Sequence, residues 1–235
     1  MNLLALDTST EYLSLALLKG EETFTFDTHA GQTHSQIILP QIQVLLNVAE
    51  LSLKDLHGIA FGAGPGSFTG VRIAAGVAQG LGFGNKLPVV GICTLLALAQ
   101  AAYEKNIAHA NKVIACLDAR MGEVYHAAYA LIEHEWHTLI APGLYKPEAV
   151  PAIKGEGWVG AGSGWQIYPE QLNAIYGGQL YATQPELLPT AVAMLKLAIP
   201  IFKSGKAKPA NEAMPLYIRN RVALKTSERE QGLRL

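Results

Sequence analysis

The chain has little charge, very little cysteine and no excess of either sign. Of its 235 residues 16% are charged, and 18 basic against 19 acidic side chains leave a formal net charge of −1. A free-standing nucleic-acid binder ordinarily carries a basic excess, because phosphate contacts dominate its affinity. The balance excludes a chain that holds RNA or DNA by its own field, and nucleic acid is expected to reach it only through a partner. The two cysteines, Cys93 and Cys116, each lie in an apolar run and are not spaced for a metal. They read as buried reduced thiols, which excludes a disulfide framework. The opening MNLLALDTSTE has no basic region before its short apolar run, and Asp7 interrupts that run. It reads as a first strand and not as a signal peptide. No uncharged apolar stretch reaches about 18 residues without a helix breaker, so no membrane span is expected. Low-complexity segments are also missing. A soluble, cytoplasmic protein follows, and with 50% hydrophobic residues it can build its core without disulfides or metal.

The periodicities that are present give the order βββαβαβα for the first part. Residues 2–6, 12–18 and 23–28 read as strands of an antiparallel meander, with DTST and KGEE as the turns. A helix follows over 35–49, where Ile38, Ile42, Leu45, Leu46 and Ala49 keep the 3.6-residue period and Pro40 lies early enough to be tolerated. Then come a strand at 58–61, a helix at 71–83, a strand at 88–92 and a helix at 94–104. The second part begins in the same way, with strands at 112–117 and 123–130 around the turn DARMG and a third strand at 137–140. Residues 147–153 are weakly helical, 157–160 are a short strand, 169–176 a helix, and 188–202 a last helix that Pro200 should bend or end. Two halves of related order suggest a duplicated α/β fold with its boundary near 106–111. From Arg219 onward five basic and two acidic side chains make a solvated tail.

Residues 62–76, GAGPGSFTGVRIAAG, are rich in glycine in the way of a phosphate loop. The details argue otherwise. A P-loop needs a lysine after its last glycine, and no lysine occurs between His57 and Asn85. The dinucleotide fingerprint G-x-G-x-x-G fails at Ser67 and Thr69, and the nucleophile elbow G-x-S-x-G fails at Pro65. Gly64-Pro65-Gly66 reads as a tight turn, with Ser67 or Thr69 capping the helix that begins near Gly70. Inside that helix Gly76, Gly80 and Gly84 recur every four residues on one face. Each interior glycine costs about 0.5–1 kcal/mol relative to alanine, so a stripe of three calls for a use. Close approach of another helix is that use, either from a partner molecule or from elsewhere in the same chain.

Catalytic constellations are sparse. None of the seven histidines is four residues from another, and HExxH is absent. His134 and His137 form an H-x-x-H in a hairpin turn, too few groups for a metal site. Asp7 can cap its own turn, and Asp118 with Arg120 can form a structural pair.

These residues, taken together, resemble a known family. LLALDTSTEYLSLALL, HSQIILPQI, GPGSFTGVRIAAG, LPVVGICTL, LDARMGEVYHAAY and PLYIRNRVA, in that order, are similar to the TsaB (YeaZ) family of bacterial tRNA threonylcarbamoyladenosine biosynthesis proteins. The resemblance runs from about residue 2 to 224 and is least distinctive from 133 to 205. It implies an α/β fold of the ASKHA (acetate kinase–Hsp70–actin) superfamily, with two RNase-H-like halves, each a mixed sheet flanked by helices. The halves would be 1–108 and 109–220, with 221–235 as a basic tail. It implies a non-catalytic scaffold without cofactor that binds the catalytic paralogue TsaD and the ATPase TsaE, and that forms a homodimer when alone. That complex transfers threonylcarbamoyl to adenosine 37 of tRNAs reading codons that begin with A, and tRNA meets the scaffold only indirectly. The first two helices form the interface, which places His34, Ile38, Ile42, Leu45, Arg72, Gly76, Gly80 and Gly84 there. Asp7 and Thr8 fall at the first phosphate-loop position of ASKHA ATPases, and Asp118 and Arg120 at the second, as vestigial candidates lacking the charge-neutralising parts of a phosphoryl-transfer site. The alternatives are an independent ASKHA-type ATPase or kinase, and a peptidase acting on the paralogue.

Overall fold

The computed structural model describes residues 1–105 and 110–218. The expected boundary and the basic tail lie largely or wholly outside the described residues. The first half contains strands β1 (Asn2–Asp7), β2 (Tyr12–Lys19) and β3 (Glu22–His29), helix α1 (His34–Val48), strand β4 (Gly58–Gly64), helix α2 (Phe68–Asn85), strand β5 (Val89–Cys93) and helix α3 (Thr94–Glu104). The second contains β6 (Lys112–Arg120), β7 (Glu123–Ile132), β8 (Glu135–Tyr145), β9 (Trp158–Ala161), the short helices α4 (Gly164–Ile167) and α5 (Pro169–Tyr176), β10 (Leu180–Gln184) and α6 (Ala191–Lys203).

Each half builds a five-stranded mixed sheet, ordered β3-β2-β1-β4-β5 in the first and β10-β9-β6-β7-β8 in the second. The two orders are the same path read from opposite edges. A meander of three antiparallel strands is followed by two strands that join parallel to its first: Leu4 pairs with Ile59 and Ile59 with Val89 in one sheet, Ile114 with Gly160 and Gly160 with Thr183 in the other. The duplicated α/β architecture is therefore present in the backbone.

The helices are shared between the halves. α1 and α2 cover one face of the first sheet, where Ile38, Ile42, Leu45, Ala74 and Ala78 close over Leu4, Leu6, Leu13, Leu15 and Leu17. The opposite face is covered by α6, which belongs to the second half: Met194, Leu195 and Ala198 pack on Leu3, Ala5, Ala16 and Ala60. In return α3, from the first half, lays Leu95, Leu98, Ala99 and Ala102 on Val113, Ala115, Tyr125 and Tyr129 of the second sheet. α4 and α5 cover the remaining face with Trp165, Leu172 and Tyr176. This gives alternating layers with α3 and α6 in the middle and α1 and α2 outermost at one end.

Local differences from the sequence reading have local causes. Pro40 sits inside α1, not in its first turn, and both it and Gln36 lie on the exposed side, where water can take the carbonyl left free. Pro200 does not end α6, which continues to Lys203. The turn DARMG runs through positive φ at Arg120, Met121 and Gly122. Residues 147–149 alone form a 3-10 turn where a longer weak helix is expected. β10 and α4 have no counterpart in the sequence reading.

Candidate functional site

The glycine-rich segment serves two different purposes, and its first part faces inward. β1 ends at Asp7, and the turn after it places Asp7, Thr8 and Ser9 at 1%, 0% and 2% exposure. The segment from Gly62 to Gly70 lies directly on this turn. A Cβ on Gly62 would overlap Asp7 Oδ1, one on Gly66 would overlap the Ser9 carbonyl, and one on Gly70 would overlap the Thr8 carbonyl. The contact is sealed by hydrogen bonds: the Ser67 backbone N–H donates to the Ser9 carbonyl at 2.7 Å, and Thr8 Oγ1 donates to the Gly70 carbonyl at 2.6 Å. Ser67 also caps α2, its hydroxyl accepting from the Gly70 N–H, and so settles the choice between Ser67 and Thr69.

Asp7 is held by this enclosure. Its Oδ2 accepts from the Ser9 hydroxyl at 2.8 Å and its Oδ1 from the Ser9 N–H at 3.3 Å. Burial raises its pKa to about 6, against the opposing pull of those Ser9 bonds and the Thr8 backbone bond. Asp7 and Thr8 thus present almost no surface to a ligand. In the second half Asp118 accepts from the Arg120 backbone N–H at 3.0 Å and from the Tyr168 hydroxyl at 3.3 Å, and its own N–H donates to Ser163 Oγ at 3.1 Å. The bond seen between Asp118 and Arg120 therefore runs through backbone. His126, buried among Tyr145 and Tyr176, is pushed down to about 4 by burial, and Cys116 is raised by burial beside Asp118. Among the described residues no group of three or more His, Cys, Asp or Glu is arranged to hold a metal ion.

The second part of the glycine segment faces outward. Along α2 the buried residues are Gly70, Val71, Ala74, Ala75, Ala78 and Gly82. Gly76, Gly80 and Gly84 occupy the exposed side, and a Cβ on any of them would meet nothing within 4 Å. The stripe therefore has no partner among the described residues of its own chain.

The expected interface on α1 needs correction. His34, Ile38, Ile42 and Leu45 are 5%, 1%, 3% and 5% exposed, and the three apolar ones are part of the chain's own core. An apolar stripe at helical spacing on a helix that lies on a sheet faces the sheet, since burying each such side chain contributes about 1.5–3 kcal/mol. The outward residues are instead Leu39, Val44 and Val48, at 50%, 50% and 62% exposure. The sequence reading missed these three. The signal available for them was composition: α1 contains no Asp, Glu, Lys or Arg, and α2 contains one such residue, Arg72. Two adjacent exposed helices almost without charge are unusual for a solvated surface.

A third element borders this layer. Residues 208–217 return from the second half along α2: Lys208 pairs with Val89 on β5, Ala210 packs against Gly82, and the Leu216 N–H donates to the Ala63 carbonyl at 2.7 Å. Across the face the order is α1, then α2 with its bare glycines as a groove, then this strap. Met214, Leu216 and Tyr217 of the strap are exposed, as are Phe68 and Phe83 of α2, Phe83 at 78%. The arrangement is a shallow apolar trough with a backbone floor.

Comparison with known proteins follows the same lines. The family model for TsaD, tRNA N6-adenosine threonylcarbamoyltransferase, matches residues 27–196. The tRNA threonylcarbamoyladenosine biosynthesis protein TsaB of Escherichia coli is 42% identical over 230 residues, covering 96% of this chain and 97% of that protein. The protein of the same name from Haemophilus influenzae is 40% identical, with 96% of each chain covered. Among solved structures, YeaZ from Pseudomonas aeruginosa superposes with a TM-score of 0.82 at 38% identity, covering 92% of this chain and 99% of that one.

Proposed function

This chain belongs to the TsaB family of tRNA threonylcarbamoyladenosine biosynthesis proteins, and from that premise we propose that it acts in the pathway as a non-catalytic scaffold. It docks the catalytic paralogue TsaD through the outer faces of α1 and α2, with the ATPase TsaE joining the assembly, and pairs with a second copy when TsaD is absent. The assembly transfers threonylcarbamoyl to adenosine 37 of tRNAs that read codons beginning with A, and tRNA meets this chain only through it.

The observation that carries the reading is the outer helical layer, exposed yet nearly free of charge, with glycines on which an added Cβ would meet nothing within 4 Å. Helix pairs normally stand about 8–10 Å apart, and side chains set that distance. A floor of Gly76, Gly80 and Gly84 lets a partner helix settle closer, so that Leu39, Val44, Val48 and Phe83 can close on it from the sides. Three interior glycines cost α2 about 0.5–1 kcal/mol each, which a docking surface offsets by the apolar area it removes from water. The enclosure of Asp7 and Thr8 beneath Gly62–Gly70 supports a holding role over a reacting one.

Mixing the purified chain with purified TsaD and passing the mixture over a sizing column tests the proposal. One co-eluting species is expected. A Gly80→Leu variant is expected to elute apart from TsaD while keeping its thermal melt. Separate elution of the unmodified proteins contradicts the scaffold reading.

A further inference from the structure

Arg72 is the one fully charged side chain on α1 or α2, and it is held in place. Its guanidinium carbon lies 3.7 Å from the centroid of the Phe68 ring. Its Nε donates to the Tyr217 hydroxyl at 2.8 Å, and the Tyr217 ring stands beside Phe68 with centroids 6.1 Å apart. Phe68 and Tyr217 thus fix the plane of the guanidinium from α2 and from the strap. Among the described residues no carboxylate forms an ion pair with Arg72, which is exposed. No hydrogen bond among the described residues engages the two terminal amino groups of the fork, which can donate in parallel, the geometry that a carboxylate or phosphate accepts in bidentate fashion.

We propose that Arg72, preorganised by Phe68 and Tyr217, receives one Asp or Glu carboxylate of the heterologous docking partner, and that this single ion pair makes the trough select that partner over a second copy of the chain. The inference rests on the docking role proposed above. The two helices of a second copy bring no matching group: neither α1 nor α2 carries an Asp or Glu, and Glu212 on the strap is already 3.2 Å from Lys208. Self-association through these helices leaves both arginines unmet, whereas a different protein can present the acid. A nucleic-acid phosphate is the less suitable occupant. Arg72 is the only Lys or Arg on α1 and α2, and a chain of net charge −1 gives a polyanion little to bind. An already immobilised fork also loses less freedom when it binds, so the pair contributes more than a free surface ion pair does.

The test measures pairing of the full chain with TsaD and, separately, its self-association by sedimentation. Arg72→Leu is expected to weaken pairing with TsaD by about 30-fold while leaving self-association within about threefold, because only the heterologous contact loses an ion pair. Tyr217→Phe keeps the ring but frees the fork, and is expected to weaken TsaD pairing by about fivefold with no change in self-association. Arg72→Lys keeps the charge without the fork and should fall between the two. Unchanged melting of each variant confirms that folding is intact, as expected for an exposed side chain. If the unmodified chain pairs with TsaD and Arg72→Leu pairs equally well, the inference is overturned and the docking role stands. Equal losses in both assemblies also overturn it, since they show a shared surface and no selection. Pairing kept by Arg72→Leu but binding of a tRNA transcript to the assembly lost moves the site to phosphate and overturns it too. Failure of the unmodified chain to pair with TsaD removes the docking role and this inference with it.

Discussion

Two sets of three glycines, each spaced by four residues, lie within the same stretch of chain and do opposite things. Gly62, Gly66 and Gly70 are pressed against the turn after β1, where any side chain would overlap Asp7, Ser9 or Thr8. Gly76, Gly80 and Gly84, a few residues on, meet nothing. The first set lets the chain dock on itself, and the second leaves a backbone floor open to another molecule. Glycine content and spacing alone do not tell these apart. What differs is the distant segment opposite each set: residues 7–9 for the first, none among the described residues for the second.

That contrast is most directly broken on the closed side. Gly70→Ala sets a methyl group against the Thr8 carbonyl, backbone that cannot rotate away, and should destabilise the fold by about 3 kcal/mol or more in urea denaturation. A neutral result would mean that the turn yields easily and that the enclosure of Asp7 is not tight.

The carboxylate beneath Gly62 sharpens the comparison through pH. Folding raises Asp7 from 3.8 to about 6, so the folded state binds its proton more tightly than the unfolded state does. Its contribution to stability therefore grows as pH falls through 6 and is complete below 3.8. His126, lowered from 6.5 to about 4 by burial in the second half, acts in the opposite sense, and its contribution is lost as pH falls from 6.5 towards 4. The two offset one another over the same window. Asp7→Asn removes the first and leaves the second, so the variant should lose about 2 kcal/mol relative to the parent between pH 7 and pH 4.5. Parallel pH profiles of variant and parent would show that Asp7 titrates in the folded state as it does in the unfolded one.

The open side should respond in the reverse way. Gly76→Ala and Gly80→Ala meet no neighbour, so each should stabilise the monomer by about 0.5–1 kcal/mol in the same denaturation measurement. The same two changes raise the floor of the trough and should weaken pairing with TsaD. Monomer destabilisation by either would place those glycines on a packed face.

Much of this architecture is legible in the residues themselves. The meander over 2–28, α3 and α5 follow from hydrophobic period and turn residues, and the glycine stripe of α2 follows from its spacing. On α1 the 3.6-residue period is correct, but Ile38, Ile42 and Leu45 serve the core, while the outward-facing Leu39, Val44 and Val48 fall off the main stripe. An apolar residue carries no mark of which neighbour it will meet. The exchange of α3 and α6 between the sheets is equally hidden, because Ala97 or Ala198 would suit either sheet. The use of Gly62, Gly66 and Gly70 depends on a turn more than fifty residues earlier. The grip of Tyr217 on Arg72 spans 145 positions. Contacts set by tertiary packing leave no local pattern, and the site is made largely of such contacts.

The central claim is that the nearly uncharged outer layer of α1 and α2 receives TsaD. Amide hydrogen exchange on the full chain, with and without TsaD, tests it most directly. The account predicts slowed exchange in α1, in α2 and in the strap at 208–217, with α4 and α5 unchanged. Protection confined to the second half, with α2 exchanging at the same rate in both samples, would contradict it.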